Sequence, residues 1–158
     1  MADVVFPVLH GKFGEDGAIQ ELLERVSLPF VGSGSKASRI AINKSISNAV
    51  FTKNNLTIPQ SEIITKNNFT ISINFPVIVK PLDEGSSLGV HKCNSQEELE
   101  IVLKNAFIDH NEMLVQECIV GREFTCGILD IEGVPTPLPP TEIILKDTKL
   151  FDYETKYT

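Results

Sequence analysis

Lys80 stands at the end of a short β-branched run, Pro76-Val77-Ile78-Val79, and is followed at once by the loop Glu84-Gly85-Ser86-Ser87-Leu88-Gly89. An ammonium at the end of an apolar strand gives up hydration, which costs several kcal/mol or depresses its pKa unless an anion compensates. The loop carries what an anion site uses: small residues, hydroxyl donors, and glycines that let backbone N–H groups approach a ligand. Binding of a phosphate or a carboxylate is the chemistry this pairing suggests. The same residues also fit a simpler reading, in which an edge-strand lysine reaches solvent ahead of an ordinary loop.

The elements that must position these groups follow from the periodicity. Residues 76–79 form a fully buried strand, bounded by Pro76 and Pro81. Upstream, Val4 to Leu9 is an apolar strand running into a glycine loop, His10 to Gly17. A helix then carries Ile19, Leu22, Leu23 and Val26 on one face, with Asp16 available as its cap. Pro29 to Gly34 is a short extended piece with a turn, and Ser35 to about Asn54 reads as one helix containing Lys44. Leu56 to Ile64 is extended, and Asn67-Asn68 is a turn. A second clear helix spans Gln96 to Phe107, with Ser95 and Glu98 spaced as a capping box. Met113 to Cys118 and Glu123 to Ile131 are strands, the latter ended by Glu132-Gly133. Pro135 to Pro140 cannot enter a sheet interior and reads as a loop or strand edge. Thr141 to Leu145 is one more strand, and Phe151 to Tyr157 a loop.

The totals limit the function classes. Apolar content of 42% and charged content of 22% over 158 residues are globular values. A formal net charge of −7 argues against a nucleic-acid surface and leaves local basic sites as the anion binders. No apolar run approaches a membrane span, and the start lacks a basic segment with a cleavage site, so a cytoplasmic protein without a membrane partner is expected. Cys93, Cys118 and Cys126 form no Cys-x-x-Cys pair, so neither a disulfide framework nor a zinc site is indicated.

Several blocks taken in order carry a family resemblance. They are Phe6-Pro7-Val8-Leu9-His10-Gly11 with Phe13-Gly14-Glu15-Asp16-Gly17, then Phe30-Val31-Gly32-Ser33-Gly34, then Pro76 to Val90. Val115-Gln116-Glu117 with Gly121-Arg122-Glu123-Phe124-Thr125 follows, and Phe151 to Tyr157 ends the series. In these blocks the chain resembles the D-alanine–D-alanine ligases of the ATP-grasp superfamily. The resemblance implies an α/β and α+β architecture, an incomplete ATP-grasp fold. Its expected parts are the end of a Rossmann-like N-terminal domain (1–43), the lid domain (44–120) and the start of the C-terminal ATP-grasp domain (121–158).

The family joins two D-alanines through an acyl phosphate made with ATP, for peptidoglycan precursors. By resemblance, Lys44 and Lys80 contact the ATP phosphates, and Glu84, Gly85, Ser86, Ser87 and Gly89 belong to the loop covering them. Ser86 also helps order the closed site. Gln116, Glu117, Cys118 and Ile119 line the adenine, and Glu123 binds the ribose. His10 and Glu15 lie near the first D-alanine, and Lys156 with Tyr157 closes over substrate. Magnesium or manganese is implied for the full enzyme, with its ligands and a catalytic arginine expected beyond Tyr157, so this chain alone is expected not to turn over. D-Alanine and ATP are the implied ligands, and the full-length family member is commonly a homodimer. A nucleotide-binding fragment without catalysis, and a ligase taking D-serine or D-lactate second, are the alternatives. Two local departures stand out: Asn43 precedes Lys44 where the family commonly has aspartate, and Cys118 replaces an often larger residue.

Overall fold

The computed structural model describes residues 3–67 and 69–144. Among them the chain order is α1 (Ala18–Arg25), α2 (Ser35–Ile42), α3 (Lys44–Lys53), β1 (Ser61–Thr65), β2 (Val77–Pro81), β3 (His91–Cys93), α4 (Gln96–Ala106), β4 (Glu112–Glu117), β5 (Glu123–Thr125), β6 (Ile128–Ile131), β7 (Val134–Pro137) and β8 (Thr141–Ile143). No helix among the described residues is long and apolar enough to cross a membrane.

The core is a four-stranded antiparallel sheet, ordered β1-β4-β2-β3, with α4 packed on one face. Strand β2 is not buried on both faces, as its apolar run predicts. Val77, Val79 and Pro81 are buried while Ile78 and Lys80 are half-buried, the period-2 alternation of a pleated strand. Val77 and Val79 meet Cys93, Leu99, Leu103, Met113 and Val115 in a closed apolar cluster. Full burial of each such side chain contributes about 1.5–3 kcal/mol. Phe69 stacks on Phe107 at the cluster's edge, with ring centroids 5.6 Å apart.

Helix α4 forms where its stripe and cap require. Ser95 accepts the Glu98 N–H at 3.3 Å, while the Glu98 carboxylate reaches one residue further back than a capping box does, to the Asn94 N–H at 2.7 Å.

The helix expected from Ser35 to Asn54 is two. Asn43 leaves helical geometry (φ −84°, ψ 108°) and its side-chain oxygen accepts the N–H groups of Ser45 and Ile46, both at 3.1 Å. An asparagine that caps satisfies donors which a continuous helix would have bonded to its own carbonyls. Lys44 thereby becomes the first residue of α3. Asn43→Ala is expected to cost about 1 kcal/mol, and Asn43→Asp to be neutral or stabilising, since a carboxylate also suits the helix dipole. Thermal melts of the two variants check this.

Other expectations shift for equally local reasons. At Val4 to Leu9, among the described residues, only Val5 pairs, in a parallel bridge with Phe30, and Phe6 and Val8 stay 68% and 74% exposed. In α1, Leu23 is buried but Leu22 is exposed, as is Val26 just past the helix, and the N-cap is Gly17 in the left-handed region, not Asp16. Asp16 instead accepts the Phe13 and Ala18 N–H groups at 2.8 and 3.0 Å, tying the glycine loop to the helix start. These donors hold its carboxyl below the usual range. The single strand expected at Glu123–Ile131 breaks at Cys126-Gly127, so that β5 pairs with β8 and β6 with β7. Strand β7 carries Pro135 and Pro137 in a two-stranded hairpin, an edge where a missing N–H is tolerated. All three cysteines are free thiols.

Candidate functional site

Strand register explains the surroundings of Lys80. Directly paired residues of an antiparallel sheet share a face, and Ile78 pairs with Gln116. Lys80, two residues on from Ile78, therefore lies diagonally from Gln116 on the face away from α4. Its Nζ donates to Gln116 Oε1 at 2.6 Å. The partner is a neutral amide; among the described residues no carboxylate lies within ion-pair distance of Lys80. Burial pushes the Lys80 pKa down.

Lys44 reaches the same region from α3. Its backbone N–H donates to the Leu82 carbonyl at 2.9 Å, docking the helix start on the chain just past β2. Its Nζ donates to the Glu84 carbonyl at 2.7 Å and to that of Leu82 at 3.4 Å. Burial depresses this pKa as well. The Lys80 charge adds to the shift, while Asp83 and Glu84 oppose it. Two half-buried ammonium groups close enough to repel one another, each resting on neutral oxygens, make an electropositive pair suited to a polyanion.

The loop after β2 follows directly on Lys80 and supplies the Glu84 carbonyl to Lys44. Ser86 and Ser87 take left-handed φ angles of 51° and 56°, and Gly89 one of 65°. Consecutive left-handed residues other than glycine are costly and persist where the surroundings hold them, most often at ligand sites. Gly85 approaches the other glycine loop: a Cβ there would sit 2.7 Å from Glu15 Oε2, the oxygen that accepts the Gly11 N–H at 2.5 Å. Between the two loops lies a cleft of about 570 Å³ lined by Gly11, Lys12, Asp83, Glu84, Gly85 and His110 among others.

Lys80 thus contacts Gln116, Lys44 contacts Glu84 and feels the Lys80 charge, and Gly85 closely approaches Glu15. His10 is exposed at the head of the glycine loop. The remaining expected residues lie along the strand past Gln116. Glu117 is held by the chain itself, its N–H donating to the Gln60 carbonyl and its carboxylate accepting the Gln60 N–H at 3.2 Å. Cys118 extends the pairing through its N–H to the Pro76 carbonyl, Ile119 is 62% exposed, and Glu123 is exposed on β5. Lys156 and Tyr157 lie outside the described residues. His110 was not legible in the sequence, because its contact with Glu84 is made only by the fold.

Comparison with known proteins gives consistent matches. A family model described as "D-ala D-ala ligase C-terminus" matches residues 35–158, and one described as "D-ala D-ala ligase N-terminus" matches residues 1–33. A D-alanine–D-alanine ligase of Fervidobacterium nodosum is 43% identical, covering 99% of this chain and 54% of that protein. The VanG D-Ala:D-Ser ligase of Enterococcus faecalis superposes with a TM-score of 0.83 at 32% identity, over 99% of this chain and 47% of that one. A D-alanine–D-alanine ligase of Bacillus anthracis complexed with ATP gives 0.77 at 30% identity, over 94% of this chain and 50% of that one. The chain spans about half the length of the curated relatives it matches.

Proposed function

The chain belongs to the D-alanine–D-alanine ligase family, with the mixed helix-and-strand fold of the ATP-grasp ligases, and from that premise we propose that the whole protein joins two D-alanines using ATP. The observation that carries the reading is the pair of half-buried ammonium groups, Lys44 and Lys80, each on a neutral oxygen and near enough to repel, with Lys44 on the carbonyl that opens a left-handed Gly/Ser loop. We take residues 1–43, 44–120 and 121–158 as the end of the N-terminal domain, the lid domain and the start of the C-terminal domain. The helix break at Asn43 supports the first boundary.

In this reading the carboxylate of the first D-alanine attacks the γ-phosphorus, and ADP leaves. The amine of the second D-alanine then attacks the acyl phosphate carbon, loses a proton, and expels inorganic phosphate as the peptide bond forms. Lys44 and Lys80 neutralise the phosphate oxygens, which is where such transfers need most help. Backbone N–H groups of residues 84–89, with Ser86 and Ser87, cover the phosphates. Gln116 to Ile119 receive the adenine, and Glu123 the ribose hydroxyls. His10 and Glu15 orient the first D-alanine, and Lys156 with Tyr157 excludes water from the acyl phosphate. The ATP complex of the Bacillus anthracis relative supports the nucleotide assignment. Among the described residues no group of three or more His, Cys, Asp or Glu side chains could hold a metal, so they do not by themselves fit a magnesium site.

Phosphate release by the whole protein with ATP is the test: release that depends on D-alanine supports the proposal, and its absence with intact ATP binding favours a nucleotide-binding role instead. Similarity to the D-Ala:D-Ser ligase makes D-serine the competing second substrate. Mass identification of the dipeptide decides between them. Gly85→Ala is expected to lower kcat/KM for D-alanine by up to about 100-fold, because the added methyl displaces the flexible end of Glu15. Thermal stability should hardly change, as no backbone has to move.

A further inference from the structure

Glu84 is held at two points. Its backbone carbonyl accepts Lys44 Nζ at 2.7 Å, and its carboxylate Oε1 lies 3.6 Å from His110 Nε2. His110 sits in the turn that ends α4, and that turn is anchored: the Asp109 and His110 N–H groups both donate to the Ala106 carbonyl, at 3.2 and 3.0 Å, and Phe107 is buried in the core. The loop that Glu84 opens continues through Ser86 and Ser87 in left-handed geometry. Such a loop keeps its shape only as well as its first residues are fixed.

We propose that His110 is a positioning residue: its imidazolium holds the Glu84 carboxylate and so fixes the nucleotide-covering loop over Lys44. The proposal rests on the nucleotide reading of this site. It also makes ATP affinity depend on a proton that the ligase chemistry does not itself use. The acidic groups that line the same pockets as His110, besides Glu84, are Asp83 on the loop, Asp109 on its own turn and Glu112 on β4. The other titratable or charged groups there are His91 on β3, and Lys12, Asp16 and Arg39, and Lys44 Nζ holds the Glu84 carbonyl. The two partners are 23% and 40% exposed, so the pair is screened and its effect is moderate.

The test is ATP affinity of the whole protein, wild type against His110→Gln, by titration calorimetry at about pH 6 and about pH 8, a span across which imidazoles change charge. Glutamine keeps a neutral donor and removes only the charge, and the ratio of the two dissociation constants cancels the titration of ATP itself. The variant is expected to bind about two- to five-fold more weakly at the lower pH and equally at the higher. In a Glu84→Gln background, His110→Gln should have no further effect at either pH. A ratio that does not change with pH, or an effect that survives in the Glu84→Gln background, overturns the proposal while leaving the nucleotide site standing. Absence of ATP binding by the wild type overturns both.

Discussion

Lys80→Met lowers kcat/KM for ATP by about 100- to 1,000-fold, the scale of losing one preorganised charge donor at a transferring phosphate, and the folded protein holds or gains stability. Both halves follow from the same geometry. The Lys80 ammonium is half-buried and rests on the Gln116 amide, with no carboxylate in ion-pair reach among the described residues. Among the described residues its desolvation is therefore offset only by that neutral amide, and an apolar side chain of similar length removes the cost. The pH dependence gives an independent check. A lysine whose folded pKa is depressed binds fewer protons folded than unfolded between that value and the ordinary lysine value, so stability rises with pH through that window. The penalty is fully present below it. The melting temperature of Lys80→Met should exceed that of wild type most at neutral pH, and the gap should close towards about pH 10.4. A wild type more stable than Lys80→Met at neutral pH would mean that a protein anion compensates Lys80 after all.

Leu99→Ala has the opposite profile. Leu99 is wholly enclosed between α4 and the α4-facing residues of the sheet, and its truncation costs about 2–5 kcal/mol in lost transfer energy and residual cavity. Denaturant unfolding measures this loss. ATP affinity well below the melting point should stay near wild type, because Lys80, Gln116 and Lys44 lie across the sheet from the cavity. Unchanged stability in this variant would remove α4 from the core described above.

The parts of this protein that a reader can recover from sequence are those whose signal is local. Helix α4 has its stripe and its capping serine in contiguous residues, and Lys80 with its Gly/Ser loop lies in one short stretch, so chemistry and support are read together. The split of the expected long helix is also local in cause, since Asn43 is a strong capping residue, but an asparagine inside a helical pattern does not announce which role it takes. Strand β3 is three residues of mixed polarity, too short for any period, and exists because β2 offers it an edge. The apolar pattern of Val4 to Leu9 marks a strand whose pairing, beyond Val5 with Phe30, is not made among the described residues. Gln116 as the partner of Lys80 follows only from the β2–β4 register, and His110 as the partner of Glu84 only from where α4 ends. The sequence marks candidate anion-binding groups; tertiary register decides which neutral oxygen each one rests on.

In the proposed function Lys44 and Lys80 jointly grip the phosphates of ATP beneath the loop 84–89. A crystal structure of the whole protein with a non-hydrolysable ATP analogue measures it directly. Phosphate oxygens are expected within hydrogen-bond distance of both Nζ atoms, with Lys80 released from, or sharing, the Gln116 amide. A nucleotide bound with its phosphates away from both lysines would contradict it.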